Sequence, residues 1–217
     1  MRIGVLGTGM VGQALATRLV ETGHDVMMGS RTAGNEKAVS WAAQQPERAA
    51  TGTFADAARH GEVVVNATGG GVSLEVLRSV DTSDLDGKVL VDVANPMVWA
   101  GGPLPTLSPD KGDSLAEQIQ REFPGARVVK ALNTVNAGVM VDPAARVPAP
   151  HDLFIAGDDA DAKAVVRDLL AGFGWDPALV HDVGGIASAQ GLEAYLLFWI
   201  VLRTHIGNHD FNIHVAR

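Results

Sequence analysis

The sequence has no cysteine among its 217 residues and few charged side chains for its length. The lack of cysteine excludes disulfides, thiolate zinc sites, iron–sulfur clusters and cysteine nucleophiles. Lysine and arginine number 17 and the acidic residues 25, so the formal net charge is −8, and no basic run occurs. Such a chain is a poor candidate for binding nucleic acid or an anionic membrane. We therefore expect its partners to be small molecules.

Long hydrophobic runs are also lacking. The longest uninterrupted apolar run covers residues 194–202, whereas a membrane-spanning helix needs about 20 such residues. Met1 leads directly into a strand-like segment, so we expect no secretory signal. Both observations predict a cytoplasmic protein without a membrane partner.

Glycine, in contrast, is abundant, with 25 residues in 217, or about 12% against a usual ~7%. Most glycines follow predicted strands, which alternate with helices as in a doubly wound parallel α/β sheet of the Rossmann type. The strands are predicted at residues 2–6, 25–29, 51–54, 62–67, 88–93 and 127–132. Residues 95–111 are rich in glycine and proline and predict a loop.

The segment 141–151 holds three prolines and predicts a domain boundary. We expect a nucleotide-binding domain over residues 1–146 and a small C-terminal α/β domain over residues 147–217. The second domain reads as strand, helix, strand and a long final helix over residues 187–205. Because this helix is largely apolar, we expect it to pack either as core or as the seam of a homodimer.

The first predicted strand is followed at once by a glycine motif, formed by Gly7, Thr8, Gly9, Met10, Val11 and Gly12. A GxGxxG motif alone is weak, but here it follows a strand, opens a helix and leads into a second strand. We expect Gly7 to allow the tight turn, Gly9 to let a pyrophosphate approach the backbone, and Gly12 to let helix and strand pack closely. The motif therefore predicts a dinucleotide site.

The end of the second strand indicates which dinucleotide is bound. NAD-binding proteins usually place an acidic residue here to hold the ribose 2′-hydroxyl. This sequence has Ser30, Arg31 and Thr32 instead, and Lys37 begins the next helix. A guanidinium group with neighbouring hydroxyls suits a 2′-phosphate, so we expect NADP(H) rather than NAD(H).

Together, the glycine motif and Gly29-Ser30-Arg31 resemble the coenzyme F420-dependent NADP oxidoreductases. They also resemble the cytoplasmic NADPH domain of the six-transmembrane ferric reductases, and residues 129–134 resemble a strand-end motif of that wider group. The resemblance implies a Rossmann domain, a small C-terminal domain and a second cofactor, F420 or a flavin, in the cleft between them.

The resemblance further implies that Thr8, Ser30 and Arg31 contact NADP, and that Asn133 and Thr134 lie beside the nicotinamide. The sequence departs from the archaeal members at Asn133, where they have histidine, and at Gln190, where they have arginine.

Other strand ends supply further candidates for the cleft. Thr68, Gly69 and Gly70 follow the fourth strand and could approach the nicotinamide ribose or form a flexible loop. Asn95 could contribute to the site or form a plain turn with Pro96. Asn133 could hold the carboxamide or cap a helix.

No catalytic triad or dyad is visible, and we assign no catalytic side chain and no metal site. Hydride transfer between cofactors needs little acid–base help from the protein. Two alternatives stay open: a non-catalytic NADPH sensor, and an NADPH reductase of an imine or other small carbonyl-derived substrate. An imine or carbonyl reductase normally has a large helical domain after the Rossmann unit.

Glu193, inside the apolar final helix, either has a functional role or bonds a backbone group across an interface.

Overall fold

The computed structural model describes residues 1–45, 47–102, 104–108 and 112–216. Strands and helices alternate along most of this part of the chain. The strands are β1 (Arg2–Leu6), β2 (Asp25–Ser30), β3 (Ala49–Thr53), β4 (Val63–Asn66), β5 (Val89–Asp92), β6 (Met97–Val98), β7 (Thr106–Leu107), β8 (Arg127–Lys130), β9 (Leu153–Ile155) and β10 (Val180–Asp182). The α-helices are α1 (Met10–Glu21), α2 (Glu36–Ala43), α3 (Phe54–His60), α4 (Ser73–Arg78), α5 (Leu115–Glu122), α6 (Ala137–Val141), α7 (Pro143–Arg146), α8 (Ala160–Phe173) and α9 (Ala189–Ile206).

Six strands form one parallel sheet in the order β3-β2-β1-β4-β5-β8. The order reverses between β1 and β4, and the carboxyl ends of the strands at such a switch point form the ligand crevice of a doubly wound fold. Strands β4 and β5 are buried along their whole length, as a parallel sheet covered on both faces requires. The predicted Rossmann-type fold is confirmed.

Capping residues begin several helices. The Asn35 side chain accepts hydrogen bonds from the Lys37 and Ala38 backbone N–H groups at the start of α2. Ser114 and Glu117 form a capping box at the start of α5. The satisfied N–H groups stabilise these helix starts and fix where the preceding loops end.

The prediction of a loop over residues 95–111 is wrong in part. Strands β6 and β7 pair antiparallel, with Met97 opposite Leu107, and form a small hairpin. Gly101 adopts a φ of +81°, which favours glycine, and lets the chain turn back between the two strands. Residues 99–102, 104, 105 and 108 lie outside strands and helices, as predicted, whereas residue 103 and residues 109–111 lie outside the described residues.

The proline-rich segment after β8 contains helix as well as loop. Helices α6 and α7 were not predicted, and Pro143 occupies the first position of α7, where proline loses no helical hydrogen bond.

Farther on, β9 and β10 pair in parallel, and Ala156 bridges to Lys130 at the end of β8. One hydrophobic cluster joins Val91 and Val129 of the large sheet to Ile155 and Val166. The boundary at residue 146 stays a prediction.

Helix α9 follows a short 3-10 turn, Ile186–Ser188, and confirms the long final helix. The segment Ile186–Ile206 is long and apolar enough to cross a membrane by length and composition, and 39% of its most apolar stretch is buried in the fold. Core helices of soluble proteins meet the same criterion. Leu192, Leu196 and Ile200 are buried, whereas Phe198 and Val201 are exposed.

Candidate functional site

The glycine turn between β1 and α1 has the geometry of a dinucleotide-binding turn. Gly7 has a φ of +122°, and a Cβ there would lie 2.6 Å from the Ala67 carbonyl oxygen. A Cβ on Gly12 would lie 2.2 Å from the Gly7 carbonyl oxygen. Both contacts are too short for any side chain, so Gly7 allows the turn and Gly12 allows the close helix–strand contact, as predicted.

Gly9 differs from the other two glycines because open space lies above it. A Cβ at Gly9 would meet no atom within 4 Å. Gly9 is also the N-cap of α1, and no side chain caps this helix. The Gln13 side chain donates a hydrogen bond to the Thr8 carbonyl oxygen at 2.9 Å and stabilises the turn. Uncapped N–H groups, open space and the positive end of the helix dipole together fit a diphosphate.

A second recess lies at the end of β2. A cavity of about 390 Å³ is bordered by residues from three segments of the chain, namely Ser30, Arg31, Thr53, Phe54, Ala55, Glu75, Val76 and Ser79. Arg31 is exposed, and no ion pair joins it to another described residue. Its guanidinium group is therefore available to a phosphate. The contributions of Phe54, Glu75 and Ser79 were not predicted, because they come from later strand–helix units.

The hydroxyl groups near Arg31 differ in what they can donate. The buried Ser30 hydroxyl donates to the Thr32 carbonyl oxygen at 2.6 Å, so it must rotate before it can donate to a ligand. Thr32 and Lys37 are exposed. Lys37 lies in the first turn of α2, where its charge adds to the positive potential of the helix start.

The loop after β4 is held firmly against the loop after β5. A Cβ on Gly70 would lie 2.1 Å from the Asn95 carbonyl oxygen, so this glycine is needed for contact between two backbones. Thr68 donates to Asn66 at 2.6 Å, and its hydroxyl lies 2.8 Å from that of Ser73. Gly69, between them, accepts a hydrogen bond from Ser73. The loop thus reaches the switch point in an ordered conformation.

Asn95 and Asn133 join the carboxyl ends of β5 and β8. The Asn133 Nδ2 group donates to Asn95 Oδ1 at 2.9 Å and to the Leu192 carbonyl oxygen at 3.0 Å, while Asn95 Nδ2 donates to the Asn133 carbonyl oxygen at 2.8 Å. The buried Asn133 Oδ1 and Thr134 Oγ1 atoms have no hydrogen-bond partner among the described residues. Buried polar atoms are normally paired, so both atoms are candidates for contact with a bound ligand.

Leu132 explains how the chain turns toward this edge. It has a φ of +63°, in the left-handed region, and it is buried. Such a conformation costs about 1–3 kcal/mol for a residue other than glycine and concentrates at functional sites. The unfavourable turn brings the next two residues, Asn133 and Thr134, to the end of the sheet.

Asp92, Lys130 and Glu193 form a buried charge cluster. The Lys130 Nζ group donates to Asp92 Oδ2 at 2.8 Å, to Glu193 Oε1 at 2.8 Å and to the Ala94 carbonyl oxygen at 2.5 Å. Lys130 has no exposed surface. Burial alone would lower its pKa, but the two carboxylates outweigh burial and raise the pKa above its ordinary value. The ammonium group therefore stays charged.

The same cluster continues into neighbouring polar groups. Asn66 donates to Asp92 Oδ1 at 2.8 Å. Glu193 Oε2 accepts from the Leu115 N–H at 2.9 Å, and Glu193 Oε1 accepts from the Ala116 N–H at 3.3 Å. Glu193 therefore bonds backbone groups of α5 in the same chain, whereas the sequence left open a bond across an interface or a functional role. The sequence contained one further signal, a lysine and an aspartate that end apolar strands, but their pairing was not predicted.

A second polar cluster (Asp152, His181 and His214) holds the C-terminal tail. The buried Asp152 carboxylate lies 2.5 Å from His181 Nε2 and 2.9 Å from His214 Nδ1. It also accepts from the Val215 N–H at 2.6 Å. The described residues contain no group of three or more potential ligands arranged to hold a metal ion.

The chain is similar to known NADP oxidoreductases. The family model described as coenzyme F420-dependent NADP oxidoreductase matches residues 2–96. The F420-dependent NADP reductase of Methanothermobacter marburgensis is 33% identical over 226 aligned residues, covering 98% of each chain. The crystal structure of a putative F420-dependent NADP reductase from Arthrobacter sp. FB24 has a TM-score of 0.93 and 44% identity, covering 100% of both chains.

A mammalian relative shares most of this chain within a longer protein. Metalloreductase STEAP3 of Rattus norvegicus is 32% identical over 195 residues, which cover 89% of this chain and 36% of that protein. This chain thus spans about a third of that relative. The match to the reductase of Methanothermobacter marburgensis over nearly the full length of both chains shows that this chain belongs to the family of coenzyme F420-dependent NADP oxidoreductases.

Proposed function

We propose that the protein transfers hydride between NADPH and an acceptor of the deazaflavin or flavin class. Two features observed together carry this proposal. One is the open glycine turn after β1, whose helix has no side-chain cap, and the other is the cavity bordered by Arg31 after β2. When bound, NADPH supplies the hydride. The protein binds the two partners, orients them and excludes water.

We assign the binding residues in three groups along the carboxyl edge of the sheet. Residues 7–12 hold the diphosphate through backbone N–H groups. Four residues hold the 2′-phosphate, namely Ser30, Arg31, Thr32 and Lys37. The nicotinamide half lies against the ends of β4, β5 and β8, at Thr68, Gly69, Gly70, Asn95, Asn133 and Thr134. No side chain is assigned a catalytic role.

The 2′-phosphate assignment is tested with an Arg31→Asp variant. We expect its affinity for NADPH to fall by about 1.5–3 kcal/mol, because a charged hydrogen bond is lost, while its affinity for NADH stays the same. Titration by protein fluorescence or calorimetry gives both constants. Arg48→Asp is the matched control, since Arg48 pairs with Asp25 at the opposite end of the strands. Equal affinity of the wild-type protein for NADPH and NADH would contradict the assignment.

The acceptor is tested by NADPH oxidation with a panel of candidates. We expect turnover with F420 or with a free flavin, FMN or FAD. Ferric chelates belong in the same panel because a metalloreductase is among the relatives. Imines and small carbonyl compounds test the alternative substrate class. If no acceptor oxidises NADPH while the nucleotide still binds, the protein is an NADPH sensor and the proposed activity is wrong.

We further propose that the protein is a cytoplasmic homodimer whose second-ligand cleft lies between residues 1–146 and 147–217. The exposed side of α9 supports dimerisation, because Phe198 and Val201 are 55% and 43% exposed. A second α9 helix would cover these exposed apolar side chains.

A further inference from the structure

The buried charge cluster connects the cofactor edge of the sheet to the C-terminal helix. Asp92 ends β5, Lys130 ends β8, and Glu193 lies in the second turn of α9. Lys130 contacts both carboxylates, and it uses its third N–H on the Ala94 carbonyl oxygen. All three donors of the ammonium group are therefore satisfied. The cluster fixes the distance between α9 and the sheet more tightly than apolar contact can, because apolar burial has no preferred direction.

Helix α9 is also fixed along its axis by contacts with the start of α5. Glu193 accepts from the first two N–H groups of α5, those of Leu115 and Ala116. Gln190, one turn earlier, donates to the Glu117 carboxylate at 2.9 Å and 3.1 Å. Two side chains on the same face thus determine how α9 is placed against α5. Sliding α9 by one residue would break both sets of contacts.

The residue next to Glu193 is the one that orients Asn133. The Leu192 carbonyl oxygen and Asn95 Oδ1 each accept one proton of the Asn133 amide group. With both amide protons used, the Asn133 side chain has one orientation, and its Oδ1 atom is left buried and unpaired within the described part of the chain. An amide oxygen in that state has both lone pairs free for an N–H donor.

We propose that Lys130 and Glu193 are positioning residues for the nicotinamide end of the cofactor. They hold α9 so that the Leu192 carbonyl oxygen keeps Asn133 Oδ1 turned toward the crevice, where it accepts from the carboxamide NH2 group. This inference rests on the proposed function. It assigns the charge cluster to orientation of a ligand group that the cluster itself does not touch.

The test compares two ligands that differ only in the nicotinamide ring, NADPH and 2′-phospho-ADP-ribose. In Glu193→Gln, the new NH2 group must face a donor, either the Lys130 ammonium or the Leu115 N–H, and this disturbs the placement of α9. We expect NADPH affinity to fall about tenfold, the size of one lost hydrogen bond, and affinity for 2′-phospho-ADP-ribose to change less than about twofold. Asn133→Ala should give the same selective loss, and the double variant should lose no more than Asn133→Ala alone.

Glu122→Gln is the matched control, because Glu122 forms an exposed ion pair with Arg78 at the far end of α5. It should leave the affinity ratio of the two ligands unchanged.

Asn95→Ala replaces Glu193→Gln in the test if the latter does not fold, because it loosens Asn133 without unpairing a buried charge. It should also lower the affinity for NADPH but not that for 2′-phospho-ADP-ribose. Equal losses for both ligands, or additive losses in the double variant, would overturn the inference. If wild-type protein does not prefer NADPH over NADH, the 2′-phosphate assignment is wrong, and the same comparison is then made with NADH and ADP-ribose.

Discussion

Replacement of Lys130 by methionine should destabilise the protein far more than loss of an ordinary surface lysine. The substitution keeps most of the side-chain volume but removes three hydrogen bonds in a site with no solvent exposure. Two carboxylates, Asp92 and Glu193, then remain buried without their cation. Breaking a buried ion pair by removing one partner typically costs about 3–5 kcal/mol.

The structure places the expected loss near the lower end of that range, at about 3 kcal/mol. Asp92 keeps hydrogen bonds from Asn66 and from the Ala94 N–H, and Glu193 keeps those from the first turn of α5. Because the pKa of Lys130 is raised, the stabilisation is fully present below the unfolded value of about 10.4 and is lost only as the pH rises through the higher folded value. Measurements at pH 7 therefore record the whole effect.

The assay is equilibrium urea unfolding of the wild-type protein and the variant at pH 7. Lys163→Met is the matched control, since Lys163 pairs with Asp182 at 2.8 Å in a partly exposed site. We expect that control to cost at most about 1 kcal/mol. If Lys130→Met costs no more than Lys163→Met, the three contacts of Lys130 contribute little to stability, and its assigned role in the fold is wrong.

Two further predictions concern the C-terminal part. Burial would raise the pKa of Asp152, but hydrogen bonds from His181, Val215 and His214 lower it below its ordinary value, so its stabilisation is present above about pH 3.9 and is lost as the pH falls through the lower folded pKa. Asp152→Asn should therefore reduce the melting temperature at pH 7, and the reduction should shrink as the pH falls through that folded pKa; an equal reduction at neutral and acid pH would contradict this. Phe198→Asp should convert the proposed homodimer to a monomer by light scattering, because it places a charge on the exposed face of α9; an unchanged mass, or a monomeric wild-type protein, would refute the dimer.

Local signals were sufficient to predict the large sheet and its glycine turn. Gly7 and Gly12 are required by contacts with residues close in sequence or in the adjacent strand, and the motif spacing carries that information. The helix caps at Asn35 and Ser114 depend on residues only two or three positions away. Such features can be recognised without knowing how the chain folds.

Features that depend on distant residues, or on the exact conformation of a turn, were missed or left open. Lys130 pairs with Glu193, 63 positions away, and with Asp92, 38 positions away. The hairpin of β6 and β7 was not predicted, because the segment is rich in glycine and proline, which usually indicate loops. The Ser30 hydroxyl was expected to face a phosphate, yet it donates to the Thr32 carbonyl oxygen two residues later. Residue types alone predicted donors there, but the local turn decides where each proton goes.

Helix α9 shows why a largely apolar helix needs a buried charge. Between Ala189 and Leu202, Glu193 is the only charged residue, and apolar side chains lie on the exposed side as well as on the buried side. Rotation of the helix about its axis would exchange one apolar surface for another at little cost in hydrophobic free energy. Rotation would, however, separate Glu193 from Lys130 and from the N–H groups of α5, and leave buried charges unpaired. The carboxylate therefore selects one orientation of α9, and that orientation determines both the surface offered for dimerisation and the position of the Leu192 carbonyl oxygen beside Asn133.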